Sequence, residues 1–241
     1  MSRSLEILEN PSMKTLKWKN RKEEVQKDER GKALKNADGS IIKKVVRDTG
    51  WYYWDKSGND GDGCEVHVPM PITFAWLETA SSLSGYNKDR ETGVYSNEVL
   101  DLKKHPMTVK VGKDTIAEGF YADIKADAKE AGAKFCNAVY GLVNVDGEYE
   151  IWRFLMVGSS FSSWVNFSNN IKNKTKSITI YDSKERETPN GDIYEEPVFK
   201  YLELPSGMGE EADKIALEVV DPYFKYILDK PKEVLETGYN D

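Results

Sequence analysis

The segment 134–157 constrains this chain most, because two apolar runs meet there at Val145-Asp-Gly147-Glu. Asp-Gly suits a tight turn whose central residues take positive φ, so the segment predicts an antiparallel hairpin with long arms. Further β-rich runs lie at 16–19, 41–46, 51–54, 65–68, 107–111, 115–121, 176–182 and 193–204. Turn signals at Asn36-Ala-Asp38-Gly39, Gly112-Lys-Asp114 and Thr188-Pro-Asn-Gly191 punctuate them. Asp48-Thr-Gly50 between two of the runs predicts either a hairpin or one long bulged strand. Residues 21–38 are charged and nearly free of large apolar side chains, and read as a mobile loop or poorly packed hairpin. Residues 86–104 are polar and read as a long surface loop.

Helical spacing is expected in several places. Pro69-Met-Pro71 opens a helix at about Thr73, with Phe74, Leu77, Ala80 and Ser81 on one face and Gly85 as its stop. Residues 123–131 give a second helix. Residues 158–168 give a third, with Phe161, Trp164, Val165 and Ser168 on one side. The chain then offers a helix over 210–220. Asp221-Pro222 reads as an N-cap followed by proline at the first position of another helix, reaching about Leu228. The pattern predicts an α+β fold, mostly antiparallel β, in one domain over 1–241. Its parts are a basic N-terminal arm and loop to about 40, a barrel core over about 41–204 and C-terminal helices over about 209–236. An OB-fold-like barrel of five strands with helical insertions fits this strand count. A sandwich with peripheral helices fits almost as well.

Residues 14–56 gather basic side chains and aromatic rings, in a chain whose formal charge is -7. Lys17-Trp18-Lys19 comes first, then Lys43-Lys44-Val-Val-Arg47 leading into Trp51-Tyr52-Tyr53-Trp54. Cations that hold phosphates and flat rings that stack on bases are what single-stranded nucleic acid requires. On strands, Trp18 falls opposite Lys17 and Lys19, while Trp51 and Tyr53 share the face opposite Tyr52 and Trp54. Lys134, Tyr140, Trp152 and Arg153 place a ring and a cation on each strand of the central hairpin. The candidate nucleic-acid-binding residues are therefore Lys17, Trp18, Lys19, Lys43, Lys44, Arg47, Trp51, Tyr53, Lys134, Tyr140, Trp152 and Arg153. The same rings would equally fill a core, with the lysines as solvated flank.

Enzymatic motifs are sparse. His67 and His105 lack Ser/Asp partners nearby, and neither a phosphate-binding loop nor a dinucleotide fingerprint occurs. Cys64-Glu-Val-His67 has the spacing of half a zinc site, whereas a structural site needs four ligands. Asp55-Lys-Ser-Gly-Asn-Asp60 departs from a calcium loop, with Asp60 at its glycine position and Val66 at its bidentate glutamate. The expectation is no catalytic residue, no metal and no cofactor. Cys64 and Cys136 read as free thiols of a reducing compartment. No apolar run approaches a membrane span, and residues 1–10 lack a signal-peptide layout. A cytoplasmic protein is expected, in the host cytoplasm if it is viral. Acidic residues dominate from Glu185 onward, including Glu195, Glu196, Glu203, Glu210, Glu211, Asp213 and Glu218. They read as solvated surface, or as a region that shields a basic groove or recruits replication or recombination proteins.

Ala117-Glu-Gly-Phe-Tyr-Ala-Asp123, Gly132-Ala-Lys-Phe-Cys-Asn-Ala-Val-Tyr140, residues 158–167 and Glu196-Pro-Val-Phe-Lys-Tyr-Leu202 carry a resemblance. In layout they resemble single-stranded DNA-binding or replication-associated proteins of tailed bacteriophages, of the oligonucleotide-binding-fold kind. The resemblance spans roughly 108–228. It implies a protein that coats single-stranded DNA without catalysis. Two other classes stay open: a phage structural or assembly protein with the aromatic segment as an oligomer interface, and a nuclease or nucleotide-modifying enzyme, although no sequence pattern groups acidic residues such as Asp101, Asp123, Asp127 and Glu130 into a metal site. A homo-oligomer is compatible with the first of these and with the coating role.

Overall fold

The computed structural model describes residues 13–57, 63–171, 177–203 and 207–229. Eleven strands join in one branched sheet. Its main path starts at β5 (Cys64–Val68) and passes β4 (Gly50–Asp55), β1 (Lys14–Lys19), β11 (Glu148–Met156) and β10 (Ala133–Val145). It continues through β6 (Ile72–Asn87), β7 (Thr92–Ser96) and β8 (Met107–Val111) to β9 (Asp114–Gly119). At the start of β6 the sheet forks to β12 (Ser177–Glu187), which pairs with β13 (Ile193–Leu202). All of these pairings are antiparallel except that of β1 with β11.

The α+β, mostly antiparallel class holds, but the described strands do not close into the expected barrel. The 16-residue β6 is the reason. One of its edges takes β10, while the other takes β12 at its start and β7 at its end, so the sheet branches.

The central hairpin forms as its sequence predicts. Val145 pairs with Glu148, and the ladder runs to Asn137 opposite Met156. Positive φ at both Asp146 (52°) and Gly147 (94°) matches the turn to the strand twist. The helix expected from Thr73 is instead β6. Tyr140 pairs with Glu78 and Gly141 with Trp76, leaving Leu77 as a bulge residue. The extra residue shifts the alternation by one, so Leu77 and Ala80 fall on one face at a spacing that imitates a helix.

Three apolar clusters surround the sheet, and β6 feeds all of them. On one face Leu16, Trp51, Phe74, Val139 and Phe154 pack with Ile178, Ile180 and Phe199 of the fork. Two helices follow in chain order, α1 (Tyr121–Glu130) and α2 (Ser159–Ser168). Trp164 of α2 closes this first cluster. On the opposite face Leu77, Ala80, Ala138, Tyr140 and Leu155 lie under α3 (Met208–Ile215) and α4 (Asp221–Asp229). The third cluster joins Leu83, Val94, Val109 and Val111 to Ile124 and Ala128 of α1.

The expected cap at Asp221 does not form. Asp221 has helical angles (φ −62°, ψ −46°) and follows a π turn over Ala216–Val220. Pro222 has no N–H for the carbonyl four residues back, and a wider turn relieves that mismatch. The expected helix end near 236 lies outside the described residues. The loop expected over 86–104 is largely packed chain, with β7 in the sheet and Val99 buried and paired with Ser81.

Residues 20–48 form an arm. β2 (Lys22–Val25) pairs with β3 (Lys43–Arg47) in a separate ladder. Lys19 pairs with Gly50 and Lys22 with Arg47, so the register holds from β1–β4 to the root of the arm, where a bulge shifts it by one before Glu23 meets Val45. Of the two expectations for 41–54 the hairpin is thereby corrected, and the long interrupted strand holds, since β3 and β4 follow one return path. Beyond Val25 the backbone closes a ring of hydrogen bonds. Gln26 N–H donates to Ile42 C=O, Ile42 N–H to Leu34 C=O, and Leu34 N–H to Gln26 C=O (2.8–2.9 Å).

Candidate nucleic-acid interface

Alternation along β1, β4 and β5 divides the basic-aromatic segment between two faces. Trp18, Trp51 and Tyr53 take the face covered by α2 and the fork. Trp51 is fully buried, and Trp18 meets it edge-on at 5.5 Å. The Trp18 indole N–H donates to the Glu195 carbonyl at 3.0 Å. Tyr53 is half-buried against the same cluster, with the Lys14 ammonium 5.7 Å from its ring centre. Trp51 is therefore a core ring, and Trp18 and Tyr53 lean on the core.

The opposite face carries Lys17 and Lys19 of β1, Tyr52 and Trp54 of β4, and Glu65 and His67 of β5. Tyr52 pairs with His67 across the strands, their ring centres 4.8 Å apart. Lys17 stands opposite Tyr52, and the Lys19 ammonium sits 6.0 Å from the Tyr52 ring centre while it pairs with Glu65. Lys17 and His67 are exposed, and Trp54 is 57% exposed. A Cβ on Gly50 would overlap the His67 imidazole, and one on Gly63 would overlap the Trp54 indole. Glycine at these positions lets both rings lie close against backbone.

Arg47 stands at the root of the arm and donates to the Asn20 carbonyl from Nε (3.3 Å) and Nη2 (3.1 Å). Partial burial lowers the pKa of Lys19 below the usual lysine range, and the charges of Arg47 and Lys17 lower it further. Burial, and then the Asp48 carboxylate, raise the Tyr52 hydroxyl, which donates to the Asp48 carbonyl at 2.8 Å. Lys43 and Lys44 lie exposed further out on the arm.

Alternation sets Tyr52 and Trp54 on a common face, but the candidate residues are the other pair. From sequence, His67 is weighed only as a zinc ligand or triad member, because its place beside Tyr52 depends on a strand register that composition does not reveal.

The second group of candidates separates. Tyr140 and Arg153 are directly opposite, and both bind one carboxylate: the Tyr140 hydroxyl donates to Glu98 Oε2 and Arg153 Nη2 to Glu98 Oε1. Glu98 is 4% exposed and Tyr140 1%. Burial, with the Glu98 charge second, holds the Tyr140 phenol well above its usual pKa. The Arg153 guanidinium is thus committed to a buried ion pair, a poor position for a phosphate ligand. Trp152 points to the other face, where its indole N–H and the Lys14 ammonium both donate to Glu150 Oε2 at 2.8 Å. Lys134 is exposed six residues along β10 from Tyr140, about 20 Å away at strand rise. Glu98 carried no sequence signal, since it lies in a stretch that reads as loop.

Among the described residues, no group of three or more His, Cys, Asp or Glu could hold a metal ion. The calcium-like stretch enters residues 58–62, which lie outside them. Glu185, Glu195 and Glu196 sit within β12 and β13, Glu210, Glu211 and Asp213 within α3, Glu218 in the π turn and Glu203 just past β13, and residues 236–241 again lie outside. No described helix is long and apolar enough to cross a membrane. No protein-family model, curated protein or solved structure matches this chain.

Proposed function

We propose that this chain is a non-enzymatic protein that coats single-stranded DNA during replication or recombination, holding the strand on the outer face of β1, β4 and β5. One observation carries the reading: Lys17 and Lys19 flank the paired rings of Tyr52 and His67, with His67 and Trp54 exposed on the same face. The cations would hold the phosphates, and the exposed rings of His67 and Trp54 would stack on bases that a duplex keeps hidden. Every base has a stacking face, so little sequence preference is expected.

Labelled oligonucleotides test it directly. Single strands should bind more tightly than duplex at matched salt, with affinity falling as salt rises. Equal affinity for the two forms would remove the proposal. Exposed Val25, Leu34, Ile41 and Val46 on the arm favour a second reading, an assembly protein. Self-association without nucleic-acid binding at low salt would select that one.

A further inference from the structure

We infer that the arm docks, head to tail, on the β12–β13 hairpin of a second copy of this chain. Residues 21–47 hold nine Lys/Arg and five Asp/Glu, a net +4 within a chain of -7. Among the described residues, the ion pairs of the arm stay within it: Arg21 and Lys43 with Glu23, Lys22 with Glu24. It also bares Val25, Ile41 and Val46, at 40–47% exposure. A two-stranded ribbon is marginal in water unless another surface covers it.

The hairpin beyond the fork has the complementary character. Residues 181–196 hold six Asp/Glu and two Lys/Arg, a net −4. Its register sets Glu185 opposite Glu195 and Glu187 opposite Ile193, all on one face with Ser183 and Pro197. Lys184 and Arg186 point to the other face, where Arg186 pairs with Glu196 at 2.7 Å. The Ser183 and Thr49 hydroxyls hold the Glu195 carboxylate, which leaves exposed Glu185 and Glu187 on this face to meet an incoming cation. Ile193, 67% exposed, supplies an apolar contact at the end of the same face.

The neighbour's hairpin fits better than the chain's own. The Thr49 hydroxyl donates to Glu195 of the chain's own hairpin at the root (2.6 Å), but a bulge follows between Lys22 and Glu23, and beyond it no ion pair joins the arm to β12–β13 among the described residues. Two different surfaces meeting head to tail leave a free arm and a free hairpin at each end, so the contact repeats.

Sedimentation velocity without nucleic acid tests this apart from the single-strand reading. Wild type should self-associate, less so at high salt. K43E/K44E and E185K/E187K should each weaken association about tenfold or more. Mixing the two variants should restore it, because each arm then meets a hairpin of opposite sign. I193E weakens it through the apolar contact and needs no charge swap. These side chains lie on exposed strands, and unchanged melting curves would verify folding. A monomeric wild type, a mixture that does not recover, or a change independent of protein concentration (the arm on its own hairpin) would overturn the inference. So would loss of oligonucleotide binding by K43E/K44E with sedimentation unchanged.

Discussion

Lys17 stands directly opposite Tyr52 across β1 and β4, while the next residue, Trp18, stands opposite Trp51 on the other side of the sheet. One step along the strand therefore separates a face where exposed Lys17 stands beside a Tyr52 that is 8% exposed from a face where half-buried Trp18 leans on fully buried Trp51. That division orders the expected effects of substitution.

His67→Ala and Trp54→Leu should each weaken single-strand binding about tenfold, since a stacked base is worth roughly 1–3 kcal/mol. Fluorescence anisotropy with labelled oligonucleotides measures this. Unchanged affinity in both variants rejects the outer face as the platform.

Lys17→Ala combined with Lys19→Ala should reduce the magnitude of the salt slope by about 1.4, at roughly 0.7 per phosphate contact on a single strand. Binding titrations across a range of salt give the slope directly. An unaltered slope would make both lysines ordinary solvated flank.

Trp51→Ala should cost about 3–5 kcal/mol of stability, the usual result of emptying a large ring site in a core. Urea denaturation reports the loss. The fraction that remains folded should keep wild-type affinity, in contrast to the outer-face variants.

Glu98→Ala should be as damaging, by about 3–5 kcal/mol, because it strands the Arg153 charge and the Tyr140 hydroxyl away from water. A loss under about 1 kcal/mol is what an exposed pair would give, and would place this group at the surface.

Cys136 is fully buried, and burial pushes its thiol up to about 12. At pH 8 a thiol reagent should therefore modify only the half-buried Cys64 in folded protein, and both thiols after denaturation. The raised pKa favours the protonated folded state. Its stabilising contribution is complete below the ordinary thiol range and disappears as pH rises toward 12. Two thiols reacting at equal rates in the folded state would contradict this placement.

What the sequence revealed was local. Asp146-Gly147 specifies its own turn, and the apolar runs beside it need only each other to form β10 and β11. The segment 72–87 misleads because a bulge at Leu77 gives a strand the spacing of a helix. The binding face was half legible: alternation placed Lys17 and Lys19 together, but which rings join them depends on β4 meeting β1 and β5 in one register. Glu98 was beyond reach, because its partners Tyr140 and Arg153 lie 42 and 55 residues away.

Strand β6 sends Phe74 into one apolar cluster, Leu77 and Ala80 into a second, and Leu83 into a third. Opening any one of the three strains the same span of backbone where it meets β10. The molecule thus has little it can release locally around β6, and its amides there should exchange with solvent only when the whole fold opens. Any site on this sheet inherits that rigidity, and a ligand arriving at the outer face meets a surface already set in place.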